Sequence, residues 1–472
     1  MHVIHVSAEC YPVAKTGGLG DVVGALPKFQ THSGLRASVV MPYYDRKFVR
    51  ENNFDEIHSG SFQFGSELLS YQILKESGNK LGFELFLVHI PGLLDREEIY
   101  QYPDETEQFF AFQIAFLEWI TEAGIKPDIV HCHDHHAGLI PFLMNYSADY
   151  SSLSNVPTVV TVHNAEYQGW CSWDKFRYLK NVDPSKTGLL DWNGAINPLA
   201  AAIKCCWRFT AVSPTYLSNL SYYSNGLEFL FAHEKAKGVG IINGIDTHIW
   251  DPETDPMIVN HYSVATAKKG KSENKKWLTK EYGLTSTKPL VSFIGRLVGE
   301  KGADLLPEIL ERSLTEMKGQ VNFFVLGSGE PEVERRLTEL SLRFKKSYNV
   351  FIGYNEELSH RIYAASDFLL MPSRVEPCGL NQLYSLRYGT LPIVRATGGL
   401  KDTVIDFEAA EGYGICFDNL DVESAVTAVK RAVELYENSA RLQLLRNRMM
   451  NLDFSWESSA NQYINLYNSI IS

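Results

Sequence analysis

Short β-branched runs alternate with stretches of helical periodicity along most of this chain, and partway along the alternation stops and begins again. In the first half the strand-like runs are "HVIHVS", "RASVVMP", "DIVHCH", "PTVVTVHN", "RFTAVS" and "GVGIING", with helical stretches such as "GLGDVVGALPKFQ" and "HAGLIPFLMNY" between them. In the second half they are "LVSFIGRL", "VNFFVLGSG", "NVFIGY", "DFLLMPS" and "LPIVRAT", spaced by "ADLLPEILERSL", "PEVERRLTELSLRF", "EELSHRIYAAS" and "CGLNQLYSLRY". Apolar runs of strand length that recur between amphipathic helices predict strands covered on both faces, as in a parallel sheet wound with helices. Residues 54–90 depart from this grammar. Their alternation and turns predict an antiparallel hairpin insertion.

A chain of 472 residues is too long for one ordinary core, which agrees with the restart. The expected fold class is α/β, with two doubly wound domains facing across a deep cleft. Ligands of open α/β sheets sit beyond the carboxyl ends of the strands, so facing domains would put both sets of loops in one place. The expected boundaries are residues 1–245 for the N-terminal domain, 246–256 for a linker rich in Asp and Pro, and 257–453 for the C-terminal domain. Residues 454–472 read as a C-terminal helix, with a return to the N-terminal domain as one route. The Lys-rich stretch "ATAKKGKSENKKWLTKEYGL" reads as a solvated helix face.

A net charge of -12 argues against nucleic acid or an anionic membrane as the main partner. The opening "MHVIHVS" predicts a strand rather than a secretory leader, and the apolar "FFAFQIAFLEWI" is short for a membrane span. Seven cysteines without a Cys-x-x-Cys predict reduced thiols and a cytoplasmic protein.

Two phrases echo each other, "KTGGLGDVV" from Lys15 and "ATGGLKDTV" from Ala396. The first is not a dinucleotide fingerprint, because the third glycine falls one residue late, at Gly24, and the phrase starts several residues after the strand. Small residues at a helix start let backbone N–H groups approach an anion, and Lys15 adds a mobile charge. A tight turn with an incidental lysine fits the phrase equally. "FIGRLVGEKG" places Arg296 and Lys301 in one glycine-rich loop, a pattern suited to a diphosphate leaving group. "PSRVEPCGLNQLYSLRYG" gives a strand end, Glu376 and a helix opening at Cys378-Gly379-Leu380. Glu376 there reads as a hydroxyl acceptor, or as a charge complementing a helix start.

This set resembles the bacterial glycogen synthases and plant starch synthases, retaining glucosyltransferases built from two Rossmann-like domains in the GT-B architecture. The phrases that carry the resemblance are "KTGGLGDVVGALP", "HCHDHHAGL", "TVHNAEYQG", "AVSPTY", "INGIDTHIWDP", "FIGRLVGEKG" and "GYNEELSHRIYAASDFLLMPSRVEPCGLNQLYSLRYGTLPIVRATGGL", in family order across nearly the whole chain. The resemblance implies transfer of glucose from ADP-glucose to the non-reducing end of an α-1,4-glucan, glycogen or a maltooligosaccharide. Configuration is retained, and no cofactor or metal is used. It implies catalytic roles for Lys15, His163, Arg296, Lys301 and Glu376. Donor contacts are implied for Lys15, Gly17, Gly18, Asp21, Asp134, Asn243, Arg296, Lys301, Tyr354, Glu376, Cys378, Gly379, Leu380 and Thr397.

Three positions depart from the family pattern: His135 replaces a Trp, Gln108-Phe109 replaces an Arg-Phe pair, and Ala201 stands where a Lys is common. UDP-glucose as donor, another acceptor, or a non-catalytic glucan-binding role remain as alternatives. "HCHDHH" looks like a metal site. On a strand, however, His131 and His133 share one face while Cys132 and Asp134 share the other, so the cluster splits. Among the four acidic residues Glu9, Asp21, Asp134 and Glu376, a carboxylate nucleophile is available by type. The Cys378 thiol beside the proposed donor pocket reads as a candidate reactive group.

Overall fold

The computed structural model describes Met1 to Ile471. The chain divides into two compact units, Met1–Ile242 together with the C-terminal helix Trp456–Ile471, and Asn243–Ser455.

The first unit is built on a nine-stranded sheet. Its strands are His2–Val6 (β1), Arg36–Pro42 (β2), Phe54–Phe64 (β3), Glu67–Glu76 (β4), Glu84–His89 (β5), Ile129–His133 (β6) and Thr158–Val162 (β7). A separate ribbon of Asp191–Trp192 (β8) and Ala195–Ile196 (β9) precedes the last two, Arg208–Ala211 (β10) and Gly238–Gly240 (β11). The order across the sheet is β11-β10-β7-β6-β1-β2-β5-β4-β3. Every pairing from β11 to β5 is parallel, and strands such as β6 and β7 are buried at every residue. Helices cover both faces, which is why these strands read as nearly continuous apolar runs. The hairpin insertion is narrower than expected. β3 and β4 are antiparallel, but β5 joins the main sheet parallel to β2.

The strand order of the first unit reverses between β1 and β6. That switch point sets the loop after β1, carrying Glu9 and Lys15, beside the loop after β6, carrying Asp134. The C-terminal helix packs Trp456, Ala460, Tyr463, Leu466 and Tyr467 against Val3, Leu26, Phe29, Ile129 and Val159.

The second unit carries a six-stranded, wholly parallel sheet. Its strands are Leu290–Ile294 (β12), Asn322–Gly327 (β13), Tyr348–Ile352 (β14), Phe368–Met371 (β15), Leu391–Arg395 (β16) and Ile415–Phe417 (β17), in the order β14-β13-β12-β15-β16-β17. Here the switch point lies between β12 and β15, so the Arg296–Lys301 loop emerges beside the Glu376 loop.

The stretch expected as a linker is a packed part of the second unit. Asp255 is buried and pairs with His360 Nδ1 at 2.7 Å, and the Trp250 ring stacks on His360 and Tyr384 with centroids 3.8 Å away. Asp- and Pro-rich composition marks irregular backbone, and here that backbone is fastened by a buried hydrogen bond. The Lys-rich helix Ala267–Glu281 is likewise not wholly solvated, because Lys271 and Lys275 are buried.

Candidate functional site

The β12 and β15 loops are stitched together by backbone. The Glu300 carbonyl accepts from the amides of Arg374 and Val375 at 2.8 and 3.1 Å. Gly302 has φ +68°, and a Cβ there would lie 2.1 Å from the Pro372 carbonyl oxygen, so only glycine allows the loops to touch. The "LGSGE" turn buttresses the same loop, since Leu297 N donates to Ser328 O and Glu330 N to Leu297 O, both at 2.8 Å.

On this base Lys301 Nζ meets Glu376 Oε1 at 2.6 Å, and Ser373 Oγ donates to Glu376 Oε2 at 2.9 Å. The Glu376 side chain is 6% exposed and that of Lys301 25%, so the pair lies at the rim of the interior with the cation reachable. Arg296, 63% exposed, sits 3.3 Å from Glu300. Each cation therefore keeps its orientation through a carboxylate of its own unit, and an incoming phosphate would share it.

The second glycine phrase has a local reason. A Cβ on Gly398 would lie 2.0 Å from the Glu376 carbonyl oxygen and one on Gly399 2.1 Å from that of Cys378, while Gly399 N donates to Glu376 O at 3.0 Å. The phrase following Thr397 is thus a backbone clamp on the Glu376–Cys378 turn. The Cys378 thiol is buried, and desolvation pushes its pKa up to about 12, against the pull of a hydrogen bond from the Asn243 amide. That removes the expectation of a reactive thiol, because at neutral pH there is essentially no thiolate. The helix begins at Asn381, after Gly379 at φ +78° and the N-cap Leu380. Asn243 is buried, with Oδ1 lacking a hydrogen-bond partner among the described residues, while the Tyr354 ring is 85% exposed.

In the first unit, Glu9 organises the Lys15 loop. Its Oε2 accepts from Thr16 N at 2.6 Å and Gly17 N at 3.1 Å, and Oε1 accepts from the Tyr100 hydroxyl at 2.6 Å. Lys15 Nζ pairs with Asp21 at 2.6 Å and lies 5.5 Å over the Tyr11 ring. A Cβ on Gly17 or Gly18 would meet nothing within 4 Å, whereas one on Gly24 would lie 2.4 Å from Tyr11 O. Glycine at 24 is required by packing, while glycine at 17 and 18 leaves open space along the loop.

Asp134, at φ +54°, follows β6 directly and accepts from the His163 amide at 2.7 Å. Burial pushes its carboxyl up to about 7, against the opposing pull of bonds from the His163 and Asn164 amides. His163 follows β7, and its Nε2 lies 3.0 Å from His133 Nδ1. The candidate carboxylate nucleophiles are thus each committed, Glu9 to loop amides, Asp21 to Lys15, Asp134 to His163 and Glu376 to Lys301.

The histidine-rich strand divides as its alternation predicts, with His131 and His133 rings stacked at 4.4 Å on one face. His5 joins them from β1, opposite His131, and one ligand nitrogen from each of the three lies within 4.8 Å of the others. Every nitrogen of these three rings already has a protein partner: Gln30 and His133 for His5, Tyr467 and Thr161 for His131, His5 and His163 for His133. His135, in the Trp position, donates to the Tyr167 carbonyl and packs over Gly169. Gln108 and Ala201 are buried.

A family described as starch synthase catalytic domain matches residues 2–233, and one described as glycosyl transferases group 1 matches residues 274–444. A glycogen synthase of Flavobacterium johnsoniae is 50% identical over 471 residues, spanning 100% of this chain and 99% of that one. The chain belongs to the glycogen synthase family. A glycogen synthase of Kosmotoga olearia is 36% identical over 100% of this chain and 98% of that one. The catalytic domain of starch synthase IV from Arabidopsis thaliana, solved bound to ADP and acarbose, matches with a TM-score of 0.89 and 32% identity, over 100% of this chain and 99% of that one. Sucrose-phosphate synthase from Thermosynechococcus elongatus shares the fold at a TM-score of 0.61 and 17% identity, over 99% of this chain and 98% of that one. The chain is a glycosyltransferase of GT-B architecture with two parallel-sheet α/β domains. No described helix is long and apolar enough to cross a membrane.

Within the second unit the fold brings Arg296, Lys301, Glu376 and the Cys378–Leu380 turn to one switch point. Within the first it brings Lys15, Gly17, Gly18 and Asp21 to the loop at another, beside Asp134. Sequence reasoning missed Tyr100, which fixes Glu9 from a loop with no pattern of its own, and Ser373, which fixes Glu376 from within the quoted "PSRVEPCGL" phrase without having been singled out there. It also missed His5 and Gln30. A histidine in the buried strand "HVIHV" was the available signal.

Proposed function

We propose that this chain extends glycogen or a maltooligosaccharide at its non-reducing end with glucose from ADP-glucose, releasing ADP and retaining the anomeric configuration. The observation that carries the reading is the Lys301–Glu376 pair beside Arg296 at the switch point of the second sheet, in a chain related over its whole length to a starch synthase solved with ADP. Departure of a diphosphate builds negative charge, and preoriented cations stabilise that charge without reorganisation. Arg296 and Lys301 supply them. Glu376 accepts a glucose hydroxyl, and the amides of Cys378, Gly379 and Leu380 serve the sugar and the distal phosphate. Thr397 adds an amide contact, and the exposed Tyr354 ring stacks on the base.

The unpartnered Asn243 Oδ1 accepts a further hydroxyl. In the first unit we assign substrate contact to Lys15, Gly17, Gly18, Asp21, Asp134 and His163. From the resemblance to the retaining glycogen and starch synthases we adopt a same-face reaction in which the departing phosphate takes the acceptor proton.

The test is chain extension of glycogen by purified protein with ADP-glucose or UDP-glucose. Extension from ADP-glucose is expected. Preference for UDP-glucose would overturn the donor assignment, and no transfer from either would overturn the reading.

A further inference from the structure

Polar side chains are rare in the middle of a sheet covered on both faces, because burying them is costly unless every group is satisfied. The first unit nevertheless threads a single file of them through its interior. Thr210, Thr161, His131, Tyr467, Gln30, His5, His133 and His163 form a chain of eight side chains joined by seven hydrogen bonds of 2.6 to 3.1 Å. The first seven have no solvent exposure, and His163 is 9% exposed. The contributions come from β1, β6, β7 and β10, from the helix Gly18–His32 and from the C-terminal helix. In the sheet register His5 lies opposite His131, His133 opposite Thr161, and Thr161 opposite Thr210.

The direction of such a file follows from one amide. A neutral imidazole has one donor and one acceptor nitrogen, so it relays polarity and cannot reverse it. Burial holds His5 and His163 at pKa values of about 4 and about 3 and keeps His131 and His133 well below the ordinary range, so all four rings are neutral near pH 7. Gln30 turns Oε1 to His5 and Nε2 to Tyr467. On the first side His5 Nε2–H donates to Gln30, His133 Nε2–H donates to His5 Nδ1, and His163 Nε2–H donates to His133 Nδ1. On the other side Gln30 donates to the Tyr467 oxygen, Tyr467 O–H to His131 Nδ1, His131 Nε2–H to Thr161, and Thr161 O–H to Thr210. Each link is then satisfied. His163 Nδ1, which has no hydrogen bond to another described residue, is left bearing a lone pair.

We propose that Gln30, His5 and His133 are positioning residues that fix His163 in its Nε2–H tautomer, so that Nδ1 presents an acceptor to a hydroxyl of the transferred sugar. This rests on the reading that His163 contacts substrate. Reversing the amide would reverse the file and give His163 an Nδ1–H donor, so the amide of Gln30 sets which hydrogen-bond partner the sugar must offer. The three clustered imidazoles are accounted for as this relay, with no nitrogen left for a metal ion.

The experiment is 15N NMR of histidine-labelled protein, with His163 assigned by its loss in His163→Asn, together with steady-state kinetics. In the unaltered protein His163 Nδ1 is expected to resonate as an unprotonated ring nitrogen and Nε2 as a protonated one. A protonated Nδ1 overturns the proposal outright. Gln30→Met keeps the volume but has no polarity to impose. It is expected to give mixed His163 tautomers and a kcat lower by about 10- to 100-fold, taking as a guide the scale seen when partners that orient a metal-bound histidine are removed, with KM little changed. Tyr467→Phe removes the hydroxyl that orients the amide and serves if Gln30→Met does not fold. In either folded variant, an unchanged single tautomer with unchanged kcat overturns the proposal. Full turnover in His163→Asn would instead refute substrate contact by His163, while the tautomer in the unaltered protein still decides the relay.

Discussion

Asp134 concentrates two costs at one residue. Its φ of +54° is uncommon for a side chain of this kind, and its carboxyl is buried with a pKa of about 7. The folded value lies above the ordinary 3.8, so the folded protein holds a proton there that the unfolded chain has released. The stability this confers is complete below about pH 4 and is lost as pH rises through about 7. Asp134→Asn keeps an acceptor for the His163 amide but does not titrate. Its thermal midpoint should therefore rise relative to the unaltered protein between about pH 4 and about pH 7, and a constant offset would refute the assignment.

Glu376 differs, being held by Lys301 and Ser373 rather than by backbone. Glu376→Gln should lower turnover by about 100-fold, as loss of one preorganised electrostatic contact does, with a thermal melt close to that of the unaltered protein. Near-normal turnover would remove its role. The chemical types of both residues were legible in the sequence. Their environments were not, because a pKa depends on which distant backbone closes over the group.

At the scale of elements, the two glycine phrases share letters and differ in purpose. Gly17 is extended backbone with open space beside it, whereas Gly24, about two helical turns later, abuts Tyr11 O. Ala is ordinarily better than Gly inside a helix by about 1 kcal/mol. Gly24→Ala should instead destabilise by about 2 kcal/mol through overpacking, and Gly17→Ala should leave stability within about 0.5 kcal/mol. Denaturant melts of the pair check both, and equal effects would refute the distinction.

The alternation of apolar runs and helices made both parallel sheets readable, since each strand's covering helices leave their mark in its composition. The small ribbon of β8 and β9 and the short edge strand β17 left too few residues for a pattern. Nor did the Lys-rich helix reveal that Lys271 turns inward. There its Nζ lies 2.7 to 3.1 Å from the carbonyl oxygens of Tyr363, Ala364 and Tyr388 and from Thr390 Oγ1, while burial pushes its pKa well below the ordinary lysine value. It thus serves the C-terminal ends of two helices at once. Lys271→Met should cost about 3 kcal/mol, because it strands several buried acceptors, and a loss below about 1 kcal/mol would show that they find other partners.

For the molecule as a whole, the two units differ in how they use the chain. The second is one continuous segment with its own core. Residues 243–455 expressed alone should melt cooperatively, and residues 1–242 alone should not, because the latter lack the helix that covers Val3, Leu26, Phe29 and Ile129. Circular dichroism of the two fragments decides this, and a cooperative melt of 1–242 would show the C-terminal helix to be dispensable.

That helix also imposes an order of events during synthesis. Chains emerge at about 5–20 residues per second and domains generally fold as they appear. The first unit, although made first, waits tens of seconds for its last sixteen-residue element, with the row of apolar side chains meant for Trp456 and Tyr463 still uncovered. A chain cut short before Trp456, or a bulky insertion in the helix that begins there, would therefore injure the part of the protein that was translated earliest.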